Sequence, residues 1–277
     1  MPSAVPLHPI LLSAAVLASL ASVVQAQAPV LAPHRAVYEL KLDDRRASGG
    51  LEQARGRILF ETTGNRCEGY TTNFRQVVEL TMNGNRVVMD ARTAHFEEGD
   101  GSGFRFTSRA TQNGAPYMET DGSANRATDA VAVRLRKPRE GTQSLDRAVI
   151  FPTEHLLRMM EAARDGRTIL EAKVYDGAET GDRVYDATAI IGRRMEGEPQ
   201  EAEPAARDPR LAGLPRWPVT ISYFEQGKDG GTPAYSLAFE LYENGVSRRM
   251  VINYPEFSLR GELIQLDWQA ATPCEKP

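Results

Sequence analysis

Residues 69–96 read GYTTNFRQVVELTMNGNRVVMDARTAHF, and the pattern in this stretch decides the fold. Strict alternation sets Tyr70, Thr72, Phe74, Gln76, Val78 and Leu80 on one face, the period of a half-buried strand. Asn83-Gly84 supplies the chemistry of a tight hairpin, after which 86–96 returns as a second strand. The pattern spreads outward from there. Ala36, Tyr38, Leu40 and Leu42 share a face opposite Arg35, Glu39 and Lys41, and Ile58 and Phe60 alternate with Arg57, Leu59 and Glu61. Further strand-like runs occur at 104–110, 116–120, 130–136, 168–175, 183–191, 219–224, 235–242, 247–253 and 258–268. About a dozen strands joined mostly by short turns predict an all-β chain built as a large antiparallel sheet, sandwich or barrel.

Two stretches depart from this period. In FPTEHLLRMMEAARDG (151–166), Leu156, Met159, Met160 and Ala163 recur at helical spacing, with Thr153 expected as N-cap and Gly166 as the C-terminal stop. This single amphipathic helix is expected to pack those four residues against the concave face of the sheet. Its Met-Met pair then reads as core filling, with a partner groove as the alternative. The stretch MEGEPQEAEPAARDPRLAGLPRW (195–217) is dense in Pro and Glu and loses apolar periodicity, which predicts a long mobile loop. Strand-like flanks on both sides favour an excursion from one domain over a linker between two.

The first residues have the form of an export signal. An apolar run at 10–24 is followed by the small-residue frame Val24-Gln25-Ala26, which predicts a signal peptide at 1–26 and a single mature domain at 27–277. The leader has no Lys or Arg, and the alternative of a retained anchor meets the shortness of the run for a bilayer-spanning helix. No cysteine lies near the cut, so the acylated thiol of a lipoprotein is missing. No second run is apolar enough to cross a membrane, which leaves a mature protein expected in the periplasm. Its net charge of −4 argues against nucleic acid or an anionic lipid surface as main partner. Arg134, Arg136, Lys137 and Arg139 form a local basic patch, read as a solvated strand face.

In an oxidising compartment the only two cysteines, Cys67 and Cys274, are expected to form a disulfide. A reactive thiol is the alternative, but there is no CxxC and no His beside either cysteine. Signatures of catalysis are also missing: the sequence has no G-x-S-x-G elbow, H-E-x-x-H, P-loop or EF-hand loop. His34, His95 and His155 are scattered, GDGSG (99–103) reads as a hairpin turn, and Glu97-Glu98 as a solvated carboxylate pair. No catalytic, cofactor-binding or metal-ligating residue is assigned, and no cofactor is expected.

Several segments together carry a family resemblance: GNRCEGYTTNF, the FPTEH helix start, VYDG (174–177), RWPVTISYF (216–224), LYENGVS (241–247) and the terminal cysteine. In this order, over residues 32–274, they resemble the alphaproteobacterial cell-envelope integrity protein EipB family. The resemblance implies a periplasmic antiparallel β-spiral, an open barrel-like sheet coiled around a helix, with a disulfide at the positions of Cys67 and Cys274. It further implies a role in envelope integrity and resistance to envelope stress, without assigned catalytic residues. Two roles are expected on this basis. One is contact with another envelope protein, of helical-repeat type by resemblance; the other is carriage of a lipid or acyl ligand in the concave sheet. An outer-membrane barrel is disfavoured by the charged outward faces of many runs and by an ending, CEKP, that is not an aromatic strand.

Overall fold

The computed structural model describes residues 29–47, 50–199, 201–228 and 231–274; the expected signal peptide at 1–26 lies outside them. Fifteen strands form one sheet. The first eight are β1 (His34–Ala47), β2 (Leu51–Asn65), β3 (Gly69–Met82), β4 (Asn85–Glu97), β5 (Gly103–Gln112), β6 (Ala115–Arg126), β7 (Ala130–Lys137) and β8 (Gly141–Asp146). After the two-residue β9 (Val149–Ile150) comes the helix α1 (Pro152–Arg164). The chain then forms β10 (Ile169–Val174), β11 (Tyr185–Ile191), β12 (Arg216–Glu225), β13 (Tyr235–Tyr242), β14 (Ser247–Asn253) and β15 (Phe257–Trp268). Two meanders, β1 to β8 and β15 back to β9, are joined side by side through the antiparallel pair β1–β15. The sheet curls into a nearly closed, barrel-like spiral whose two ends are β8 and β9.

The local chemistry explains the hairpins. Asn83 and Gly84 both take positive φ, 47° and 75°, as a two-residue type I′ turn requires, and Met82 faces Asn85 across it. Asn113-Gly114 repeats the device between β5 and β6. Curling is helped by glycine on the inner face of the sheet. Gly56 and Gly261 flank Leu40 in one cross-strand row, and a Cβ on Gly56 would come within 2.1 Å of the Val77 carbonyl oxygen. The edge strand β8 and the short β9 were not expected as strands. GTQSLD lacks apolar alternation because an edge strand needs little burial, and a two-residue strand is too short to show a period.

Helix α1 lies against the inner face of β10–β13. Met159, Met160 and Ala163 are buried there among Val174, Ala187, Ile191, Trp217, Val219 and Leu241, with Leu156 half-buried at the margin. Ala162 and His155 are buried as well. The helix ends in a Schellman arrangement, with Gly166 at φ 72° and the amides of Gly166 and Arg167 donating to the Ala163 and Ala162 carbonyls. Its start departs from the sequence reading. Phe151, not Thr153, occupies the N-cap and offers no side-chain acceptor, because Pro152 already stands at the first helical position.

The stretch 195–217, expected from sequence to be a mobile loop, is tied to the sheet at several of its described residues. Arg248 on β14 is fully buried beneath it, bonding Glu203 Oε2 at 2.7 Å, Glu240 Oε2 at 2.8 Å and the Glu201 carbonyl at 3.2 Å. Arg216 joins the same Glu240 at 2.9 Å and the Gly197 carbonyl at 2.8 Å. Ala206 and Leu211 pack into the cluster of β1, β2, β14 and β15, and Trp268 donates its indole N–H to Asp208 at 2.9 Å. A glutamate-rich stretch without apolar period is held because the Glu203 carboxylate and the carbonyls of Gly197 and Glu201 satisfy two arginines that the sheet buries.

The disulfide joins Cys67 in the β2–β3 turn to Cys274, 207 residues away, with the Cα atoms 5.6 Å apart. After Trp268 the chain crosses the end of β1, where the Gln269 amide donates to the Pro33 carbonyl, and Asn65 Nδ2 donates to the Thr272 carbonyl at 3.0 Å. Asn65 Oδ1 also accepts the Cys67 and Glu68 amides, so one side chain shapes the turn and ties the tail.

Two stability predictions follow from these constraints. Replacing Cys67, Cys274 or both with Ser should lower unfolding free energy in urea by about 2–5 kcal/mol, with the double change costing no more than either single one. Glu203→Ala leaves Arg248 with one carboxylate instead of two and should cost about 3 kcal/mol in the same titration; a loss near zero would mean that the 195–217 segment is not held by this pair.

Candidate functional site

At the end of the barrel bearing the Asn83-Gly84 and Asn113-Gly114 turns, the interior opens into a cleft of about 760 Å³. One wall is the inner face of β3 to β6. Gln76, Ala91, Ala110 and Met118 form one cross-strand row, and Val78 faces Met89 in the next. The alanines make the room. At the other end of the same strands the corresponding space is filled by Phe104 and Phe106, stacked with Phe151 at the helix start and edge-on to Tyr175. The opposite wall of the cleft is Leu259 and Phe257, with Tyr254 beside them, and the rim is formed by Glu179, Thr180 and Arg183. Arg183 pairs with Glu179 and, at 3.4 Å, with Glu225.

A tyrosine cluster stands on neighbouring strands. Tyr223 stacks on Tyr235 with centroids 4.6 Å apart, and Tyr185 meets both edge-on. Burial pushes the Tyr185 phenol up to about 12 and the other two further up, so all three remain neutral donors at physiological pH. Desolvation in the same region pushes the carboxyl of the half-buried Asp176 up as well.

The cysteines and the helix residues do not line this cleft. Cys67 and Cys274 lie at the opposite end of β3, and Met159, Met160 and Ala163 are consumed by packing against β10–β13. His34, His95 and His155 occupy separate aromatic surroundings: His34 near Phe60 and Trp268, His95 against Phe104, and His155 edge-on to Tyr223. GDGSG is the β4–β5 turn, closed by the Ser102 amide on Asp100.

Glu97, read from sequence as half of a solvated pair, is buried and structural. It projects from the end of β4 to the uncapped start of α1, where Oε2 accepts the Thr153 amide at 2.8 Å and Oε1 the Glu154 amide at 2.6 Å. A carboxylate from a distant strand thus does the work of the missing N-cap. Arg126 secures the same corner through Glu154 at 2.8 Å and the carbonyls of Gly101 and Val149. Burial pushes the Glu97 carboxyl up to about 7, against the two amides that pull it down. Sequence spacing carried no signal for this contact, because the two partners are 56 and 57 residues apart.

Both the sequence and the fold have counterparts among known proteins. A profile of the EipB-like family matches residues 25–270. The chain belongs to that family. It is 35% identical over 247 residues to the cell envelope integrity protein EipB of Brucella abortus, covering 87% of this chain and 86% of the relative. The crystal structure of a beta-barrel-like protein of the domain of unknown function DUF1849 from Brucella abortus superposes with a TM-score of 0.80. That match has 35% identity and covers 88% of this chain and all of the other. The nearly closed, barrel-like sheet is therefore a fold that this chain shares with the Brucella structure.

Glu97 generates a pH prediction. A carboxyl whose pKa rises from its ordinary 4.5 to about 7 in the folded state binds its proton more tightly there. Its contribution to stability is fully present below 4.5 and is lost as pH rises through about 7. The stability of the wild type minus that of Glu97→Gln should therefore fall across this window, at up to about 1.4 kcal/mol per pH unit. Urea titrations at several pH values measure the difference, and a flat line would show that Glu97 does not titrate there.

Proposed function

We propose that this protein supports cell-envelope integrity from the periplasm as a non-enzymatic binding protein, and that the cleft at the mouth of its barrel holds the hydrocarbon chain of a lipid. The observation that carries this reading is the cleft itself. Its volume of about 760 Å³ lies in the range of ligand sites, and its walls are aliphatic, thioether and aromatic side chains. Its rim places Thr180, Glu179 and Arg183 where a polar headgroup would emerge. Each methylene withdrawn from water contributes about 0.8 kcal/mol, so a chain of about ten supplies roughly 8 kcal/mol before ordering costs are subtracted. The envelope role rests on the Brucella relative, whose name states it. Of the two roles expected from sequence, carriage of an acyl ligand is the one that the interior favours; contact with another envelope protein falls to the outer surface.

A fluorescent fatty acid titrated into the purified mature protein tests the reading. Ala91→Trp places a large ring in the cleft without touching its walls' hydrogen bonds, and it should weaken binding about tenfold or more while leaving the melting temperature nearly unchanged. Native mass spectrometry of protein recovered from its own periplasm should show a bound lipid mass that Ala91→Trp loses. Absence of both effects would remove the lipid reading.

A further inference from the structure

The outer face of β1–β5 carries a pattern that the interior does not explain. Four apolar residues point outward, one from each of the first four strands: Val37, Leu59, Val77 and Val88. Strand register arranges them as a diagonal stripe. Val37 faces Leu59 directly, Val77 sits opposite Arg57 one row on, and Val88 sits opposite Glu79 in the row after that. Arginines border the stripe on both sides, Arg75 and Arg92 on one and Arg57 and Arg55 on the other. A groove of about 830 Å³ hollows this face.

The arginines are under-neutralised in a repeated way. Asp90 serves both Arg75 at 2.9 Å and Arg92 at 3.1 Å, and Glu79 serves both Arg55 at 2.8 Å and Arg86. Next to the groove, Glu119 serves both Arg109 at 2.9 Å and Lys137 at 2.6 Å. Each cluster has two cations for one carboxylate. Moreover Arg75, Arg92 and Arg109 stand directly opposite one another on three adjacent strands, an arrangement that by itself is unfavourable. Hydrogen bonds from Arg75 and from Lys137 hold the Asp90 and Glu119 carboxyls below their usual range, so the acids are already ionised and cannot supply further charge. The guanidiniums remain open to solvent, with 74%, 61% and 71% of the side chain exposed at Arg55, Arg92 and Arg109. A chain of net charge −4 thus gathers a positive surplus on one concave face.

We propose that this stripe docks an extended, acidic segment of a partner protein, in which carboxylates alternate with apolar side chains. In an extended chain alternate residues face opposite ways, so the apolar set meets the valines and Leu59 while the carboxylates reach the arginines on either border. The stripe crosses four strands on the diagonal, roughly 20 Å, which matches about six extended residues. A bilayer is the wrong shape for it, because a flat surface does not reach the floor of a concave groove. A free inorganic anion would leave the apolar floor unused.

The test uses the mature protein and a fluorescently labelled, end-blocked peptide of alternating Glu and Val, with a Lys-Val peptide of the same length as its counterpart. Anisotropy should show binding of the Glu-Val peptide that weakens as salt is raised. Arg75→Glu/Arg92→Glu should weaken it about tenfold or more and should shift preference toward the Lys-Val peptide. Arg55→Gln/Arg57→Gln, which alters the other border more gently, gives an independent measurement, and circular dichroism melts confirm that each variant folds. No Glu-Val binding to the wild type, or binding unchanged in both variant pairs, overturns the proposal. So does sedimentation with phosphatidylglycerol vesicles that depends on the same arginines, which would assign the face to lipid. Neither outcome touches the interior cleft, whose fatty-acid titration reads separately.

Discussion

The pairing of β1 with β15 is the contact on which the architecture depends. Every other antiparallel ladder joins strands that follow one another in sequence, most of them across a short turn and one, β11–β12, across the 192–215 stretch. The β1–β15 ladder instead brings together residues such as Tyr38 and Leu263, from opposite ends of the described chain. Without it there are two separate meanders, each with an exposed edge. With it there is one continuous surface that can curl and enclose a core. The reinforcements at this junction fit that role: the Asp43–Arg260 pair, the Tyr38 hydroxyl on the Ser247 carbonyl, and the disulfide that fastens the tail after β15 to the β2–β3 turn.

Closure alone does not decide what the enclosed space becomes. Three clusters divide it, and side-chain size does the allocation. Where β5–β7 meet the helix start, large aromatics fill the lumen; where β10–β13 meet the rest of α1, methionines and alanines mesh with Trp217 and the aliphatic residues beside it. The third cluster, where β1, β2, β14 and β15 meet, is closed around Tyr38 and Leu40; beside it the inward row runs through Ala91 and Ala110, and the walls stand apart. The helix is locked at its start by Glu97 and Arg126 and at its end by Gly166, so it does not slide toward the open mouth to fill it.

Much of this fold was legible in the sequence because its information is local. Period-two alternation marked most strands, Asn83-Gly84 named its turn, and Met159, Met160 and Ala163 announced the buried stripe of the helix. What was hidden depends on encounters between distant segments. Glu97 looks like any turn carboxylate until β4 places it over the amides of Thr153 and Glu154. Glu203 and Asp208 look like parts of a disordered acidic run until Arg248 and Trp268 are beside them. The cleft was invisible for a related reason: an inward alanine reads the same whether a neighbour fills the space next to it or leaves it open.

The two ends of the sheet meet across a line of another kind. Among the described residues no backbone ladder joins β8 to β9 or β10; the Lys173–Asp146 ion pair and the amide of Gln143 on the Gly181 carbonyl bridge the gap instead. The barrel is therefore a split ring, not a hoop. Every other interstrand line carries rows of backbone hydrogen bonds, whereas this one is crossed by side chains alone, the exposed Lys173–Asp146 pair at the surface and the packed rings of Phe104, Phe151 and Tyr175 beneath it. Among the described residues the ring thus consists of fourteen ladders and one seam, and at that seam the fit of side chains, not a register of backbone hydrogen bonds, decides how far the circumference closes.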